Sequence, residues 1–98
     1  MAVAYITEFV QMEQDEYGRP MQVALYPPLA KQKVDFATAK ASAAFNARTR
    51  MIRVYVDTKA HFDIGASPTA TTDDELINAD APEYFGVVAG HAIHFRSA

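Results

Sequence analysis

The clearest pattern of apolar and polar positions runs from Met51 to Gly65, MIRVYVDTKAHFDIG. Ile52, Val54 and Val56 alternate with Arg53, Tyr55 and Asp57, and after Thr58-Lys59-Ala60 the alternation resumes with Phe62 and Ile64 against His61 and Asp63. Successive side chains of a strand point to opposite faces, so strict alternation in β-branched and aromatic residues predicts half-buried strands. The stretch is predicted to be a hairpin with one apolar face, which the remaining strands must cover.

The same reading extends along the chain. Val3, Tyr5, Thr7 and Phe9 share one face, and Ala4, Ile6, Glu8 and Val10 the other. Both faces are largely apolar, which predicts either a strand covered on both sides or an arm, residues 1–10, lying on a neighbouring molecule. Gln11 to Pro20 holds Glu13, Asp15, Glu16, Gly18 and Pro20, which is turn chemistry and predicts an exposed loop. Met21 to Leu29 carries Val23, Leu25 and Tyr26 up to Pro27-Pro28, which cannot donate to a ladder and so end the strand or place it on an edge. Gln32 to Phe36 turns Val34 and Phe36 inward, with Lys33 and Asp35 outward.

Two stretches are less regular. Thr38 to Phe45 has the alanines of a helix, but it is short, uncapped and set among strands. It is predicted as a strand feeding a turn at Asn46-Ala47, because Asn tolerates left-handed backbone. Thr72-Asp73-Asp74-Glu75 matches a capping box and predicts about one helical turn at Leu76-Ile77, stopped before Pro82. Glu83 to Val88 and His91 to Arg96 form the last strands, parted by a turn or bulge at Ala89-Gly90. About seven or eight short strands with regular turn signals predict an all-β fold: a small antiparallel β-sandwich or barrel, jelly-roll-like.

Composition narrows the class. A chain of 98 residues fits a single domain, residues 1–98, whose one core buries roughly 60–65% of the unfolded surface. With no Cys and no Trp, neither disulfides nor a cysteine metal site contribute, and the chain is compatible with a reducing cytosol. The N-terminus has no basic region or apolar run of a signal peptide, and no apolar run approaches the ~20 residues of a membrane helix. No export and no membrane partner are therefore expected. The net charge of −3 argues against a general nucleic-acid binder. Its distribution is uneven: residues 31–53 carry Lys31, Lys33, Lys40, Arg48, Arg50 and Arg53 against Asp35, whereas residues 54–98 carry seven acidic side chains against Lys59 and Arg96. Such halves either attract one another's copies or form solvated loops.

Candidate chemistry is sparse. His91 and His94 are three residues apart and point to opposite faces of a strand, and His61 lies on another strand, so surface histidines are favoured over a metal site. Asp73, Asp74, Glu75 and Asp80 lack the Asp-x-Asp-x-Asp-Gly spacing of a calcium loop. Glu13, Asp15 and Glu16 read as a solvated loop rather than a paired-carboxylate site. Ser42, Ser67 and Ser97 have no Gly-x-Ser-x-Gly setting, and Gly18, Gly65, Gly86 and Gly90 form no phosphate loop. Arg48, Arg50, Arg53 and Tyr55 supply a local basic and aromatic group of the kind that stacks single-stranded nucleic acid, but the chain as a whole is acidic. No catalytic residue, cofactor or metal is expected, and the protein is read as no enzyme.

The order RMIRVYVDTKAHFDIGASPTAT, followed by APEYFGVVAGHAIHF, resembles a group of small β-sandwich virion proteins of tailed bacteriophages, of the capsid decoration or cement type. Thr49, the alternating Ile52, Val54 and Val56, Gly65 before Pro68-Thr69-Ala70-Thr71, Tyr84-Phe85-Gly86-Val87, Gly90 and Ile93 carry the resemblance, which covers about half the chain from Ala43 onward. The acidic TTDDELINADA departs from the group, which usually has a short apolar loop there. The resemblance implies a structural protein on the capsid surface of a virion assembled in the host bacterial cytoplasm. Its implied partners are the major capsid protein and itself, as a symmetric homo-oligomer (dimer or trimer), with no nucleic acid. An assembly role needs extended surfaces, so Val3, Tyr5 and Phe9, the Tyr26–Pro28 edge, and Arg53 with Tyr55 are the expected interface residues; arms and edges add strands to neighbours, and Tyr and Arg favour interface centres. A carbohydrate- or receptor-binding module of a tail or connector, with exposed Tyr17, Tyr26, Tyr55 and Tyr84 stacking on sugars, is the alternative. A small nucleic-acid-binding barrel is a further one.

Overall fold

The computed structural model describes residues 2–10, 12–14, 16–17, 19–24 and 28–98. Its strands are β1 (Val3–Phe9), β2 (Met12–Gln14), β3 (Pro20–Ala24), β4 (Ala30–Asp35), β5 (Lys40–Ala41), β6 (Met51–Val56), β7 (Ala60–Gly65), β8 (Leu76–Ile77), β9 (Glu83–Gly86) and β10 (Ala92–Ser97). Two antiparallel sheets of four strands, ordered β4-β1-β6-β9 and β5-β10-β7-β8, form a small β-sandwich, and β2 pairs with β3 separately. A closed barrel is thereby set aside, since each sheet keeps its own two edges. Among the described residues there are ten strands against the expected seven or eight. The additions are β2, inside the stretch expected to be an exposed loop, and the two-residue β8, which is too short to show alternation.

The pairing is nested. Going out, the chain forms β4, β5, β6 and β7; returning, β8 pairs with β7, β9 with β6, and β10 with β5, while β1 completes the series beside β4. This is the wrapping of one long antiparallel ribbon into two sheets, as in a jelly roll, with the ribbon's break between β10 and β1.

Met51–Gly65 is not a hairpin. β6 lies in the first sheet between β1 and β9, and β7 in the second between β10 and β8, so the segment arches over the sandwich edge. Alternation reports which face a side chain takes, not which strand lies beside it. In an arch both apolar faces turn to one core: Ile52, Val54 and Val56 are fully buried and meet Phe62, with Ile64 packed against them. Rings meet across the sheets, Phe36 stacked on Phe95 at 5.4 Å and Phe62 tilted against Phe85 at 5.1 Å between centroids. Each such ring contributes about 1.5–3 kcal/mol of apolar burial. The corner between β6 and β7 also fastens both ends of the chain. Val3 and Asp57 exchange bonds, Val3 N–H to Asp57 Oδ1 at 2.7 Å and Asp57 N–H to the Val3 carbonyl at 3.1 Å. The Ala98 amide donates to the Lys59 carbonyl at 3.2 Å.

Candidate functional site

The outer face of the first sheet gathers residues that are far apart in sequence. β1 runs between β4 and β6, and its register sets Tyr5 opposite both Lys33 and Tyr55, and Thr7 opposite both Lys31 and Arg53. Arg53 in turn lies opposite Tyr84 on β9. Because the inward positions of these strands belong to the core, the intervening residues must face out. The Tyr5 and Tyr55 rings are tilted at 54° with centroids 6.1 Å apart, and the Lys33 ammonium sits 5.6 Å from the Tyr5 ring centroid. Cross-strand aromatic and cation–π pairs at exposed sites each contribute about 0.5–1 kcal/mol. Tyr5 remains 42% exposed and Tyr84 54%. The result is an open platform of tyrosine rings flanked by three cations, Lys31, Lys33 and Arg53.

Tyr55 has a second task. Its hydroxyl donates to Asp80 Oδ1 at 2.5 Å, and the Asp80 amide donates to the Val56 carbonyl at 2.9 Å. Asp80 adopts φ 59°, a left-handed conformation that Asp tolerates better than most residues. The hydrogen bond to the Asp80 carboxylate, followed by desolvation and the negative charges of Asp80 and Asp57, raises the Tyr55 phenol above its ordinary pKa of 10.0. The hydroxyl is thus tied into the fold, and the ring is what the surface offers.

The expected interface residues divide. Tyr5, Arg53 and Tyr55 come together on this platform, joined by Tyr84 and Lys33. Val3 and Phe9 do not: they are 3% and 0% exposed. Residues 3–9 form an internal strand rather than an arm, since β1 is paired along both edges; one face lies in the core, and the other is covered at Val3 and Phe9 and exposed at Tyr5. Tyr26 and Pro27 lie outside the described residues, and Pro28 is half-buried. Sequence reasoning missed the membership of Lys33 and Tyr84, which only the register supplies. It also missed Glu8, although a carboxylate in phase with Ala4 and Ile6 on an apolar face was the available signal.

Glu8 is 2% exposed and holds one end of the sandwich shut. Its Oε1 accepts from the Thr49 hydroxyl at 2.7 Å and the Asn46 amide at 2.8 Å, and its Oε2 accepts from Gln32 Nε2 at 3.0 Å. Gln32 also clasps Ala43, accepting from its amide at 2.9 Å and donating to its carbonyl at 3.2 Å. These bonds hold Ala43, Asn46 and Thr49 in place; of the expected strand Thr38–Phe45 only Lys40–Ala41 forms. The turn is present at Asn46, but not through left-handed backbone: the Asn46 carbonyl accepts from Thr49 N–H at 2.9 Å, and its Oδ1 accepts from Arg48 N–H at 3.1 Å. That side-chain mimicry of a turn is the other reason Asn is common in turns. Among the described residues no buried side-chain nitrogen or oxygen lacks a partner.

The outer face of the second sheet is covered by the segment from Ala66 to Glu75. The Ala70 amide donates to His94 Nδ1 at 2.9 Å, the Thr69 amide donates to Asp63 Oδ2 at 3.0 Å, and His61 Nδ1 lies 3.0 Å from the Asp74 carbonyl. His94 therefore accepts at Nδ1, and His61 donates from it. Two of the three histidines are half-buried fasteners rather than plain surface residues. No helical turn forms at Thr72–Glu75. Asp74 Oδ2 accepts from the Thr71 amide at 2.7 Å, capping a turn, and Leu76–Ile77 pairs with β7 as strand β8. The Thr-x-x-Glu pattern lost because Ile77 is fully buried in the core, and tertiary burial outweighs a local cap. Among the described residues no group of three or more His, Asp or Glu side chains is placed to hold a metal ion, and no helix is long and apolar enough to cross a membrane.

Fold and surface together define a small antiparallel β-sandwich with one sheet face crossed by its own loop and the other presenting a part-exposed aromatic and cationic platform. No family model matches the chain, and no curated protein or solved structure was found to be similar to it.

Proposed function

We propose that the protein is a non-enzymatic structural protein that binds a larger assembly through the outer face of its first sheet, and that the assembly is the capsid lattice of a tailed-phage virion. The fold alone assigns no function. The observation that carries the reading is the platform of Tyr5, Arg53, Tyr55 and Tyr84, a sheet face with the composition of interface centres. The cations of β4 beside it suit an acidic partner surface. The resemblance of Arg50–Thr71 and Ala81–Phe95 to small phage virion proteins supports the choice of assembly. In this reading the partner is the major capsid protein, and the protein is located on the capsid surface.

The test is composition of purified particles. The protein is expected in them at a copy number set by icosahedral symmetry; its recovery only from the soluble lysate, with none in particles, contradicts the reading. The exposed tyrosines favour one second reading, a carbohydrate-binding module, since tyrosine faces stack on sugar rings. Binding of the isolated protein to a glycan array, lost in Tyr5→Ala and Tyr84→Ala, would select it instead.

A further inference from the structure

The sandwich has four outer strands, β4 and β9 on the first sheet and β5 and β8 on the second. Unpaired edges invite pairing with other chains, and proteins protect them by shortness or by lysines. β5 and β8 have two residues each. β4 carries the exposed Lys31 and Lys33. β9, Glu83–Gly86, is twice the length of β5 and β8, carries no lysine and has its one charge and the preceding proline at its start only, and the chain continues from it into Val87 and Val88, the latter 60% exposed.

The phase of β9 identifies its free groups. The Val87 amide donates to the Arg50 carbonyl at 3.0 Å while Met51 stands opposite Gly86. In an antiparallel pair that arrangement makes Met51 and Gly86 a pair without mutual hydrogen bonds, so the amide and carbonyl of Gly86 point away from β6. Tyr84, two residues earlier, shares this phase. Beyond them the edge is closed at both ends, because Pro82 has no amide hydrogen and the Val88 carbonyl accepts from His91 N–H at 3.1 Å. The free edge thus consists of the amides and carbonyls of Tyr84 and Gly86.

We infer that β9 pairs antiparallel with β9 of a second copy of this chain about a two-fold axis at Phe85. Only the register with Tyr84 opposite Gly86 of the second copy satisfies all these groups at once. A shift of two residues in either direction would set one of them against Pro82 or against the occupied Val88. The register is also self-complementary in shape and charge. Each Tyr84 ring covers the bare Gly86 opposite it, and a strand glycine gains most from a cross-strand aromatic. A Cβ at Gly86 would meet nothing closer than the Arg50 carbonyl at 4.0 Å, so the approach is open. Glu83 comes opposite Val87, not another acid. The pairing joins the two first sheets into one continuous sheet and sets two platforms side by side. It does not depend on what the platform binds.

Sedimentation equilibrium of the isolated protein tests this. The wild type is expected to have twice the mass of one chain, and Gly86→Pro the mass of one, since proline removes the outward amide without touching the bond to β6. Exchange of the Tyr84 and Gly86 amides in the wild type gives a readout that needs no variant, slowing as protein concentration rises. A wild type that stays monomeric, a trimer, a dimer unchanged by Gly86→Pro, or exchange at Tyr84 and Gly86 independent of concentration would each overturn the inference.

Discussion

The outer faces of the two sheets are built on the same alternation and end in opposite conditions. On the second sheet, His61, Asp63 and His94 point outward, and each is bonded to the backbone of the segment that lies over them. On the first, Tyr5 and Tyr84 are exposed and Arg53 is half-buried, beside lysines, with no bond to a covering loop among the described residues. A polar outward side chain is thus a fastener where a loop crosses it. An aromatic or cationic one with no loop above it is surface kept for another molecule. Tyr55 stands between the two kinds, its hydroxyl held by Asp80 and its ring beside Tyr5.

Strand β1 carries the contrast within itself, and the strongest expected effect is there. Glu8→Ala leaves the buried Thr49 hydroxyl and the Asn46 amide without their acceptor, and should cost about 2–4 kcal/mol in urea unfolding. A loss below about 0.5 kcal/mol would mean that water replaces the carboxylate, and that this end of the sandwich is not held as described. On the covered face, His94→Ala removes the acceptor of the Ala70 amide, for about 1–2 kcal/mol, with faster hydrogen exchange at Ala70 as the local sign. Unchanged exchange there would show that the segment rests on its other bonds.

The open face should respond differently. Tyr5→Ala with Arg53→Ala should change folding stability by no more than about 1 kcal/mol, because cross-strand contacts at exposed positions are weak, while lowering occupancy of the particle. A large loss of stability would reclassify the platform as structure. The mildest change concerns Tyr55. Asp80→Asn removes the negative charge and the strong acceptor, so the phenol should titrate closer to 10.0, read from tyrosinate absorbance. The raised folded-state pKa means that any stability linked to this group is fully present below the unfolded value near 10.0 and fades as pH rises through the folded one. The Asp80→Asn protein should lose that alkaline dependence.

Much of the fold was legible in advance. The inward residues Val34, Phe36, Ile52, Val54, Val56, Phe62, Ile93 and Phe95 are buried, as alternation indicated, and Ile64 is partly buried against them. Alternation could not say that β6 and β7 belong to different sheets, because the face a side chain takes is identical in a hairpin and in an arch. The discriminating contacts are the pairings of β6 with β1 and of β7 with β10, which join the middle of the chain to its two ends. The surface was half legible for the same reason. Arg53 and Tyr55 are two apart on one strand and visibly outward, but Tyr5 and Lys33 reach them only through the β4-β1-β6 register, and Tyr84 through β9. The capping box at Thr72 misled because local patterns carry no information about which residue the core will claim, and the core claimed Ile77.

The contrast between the faces can be read in one footprinting measurement on the protein free and bound to its particle. Hydroxyl-radical labelling should fall at Tyr5, Tyr55 and Tyr84 on binding, and stay unchanged at Leu76, which is exposed on the second sheet. Protection at Leu76, with the three tyrosines as reactive as before, would contradict the assignment of the open platform as the binding face.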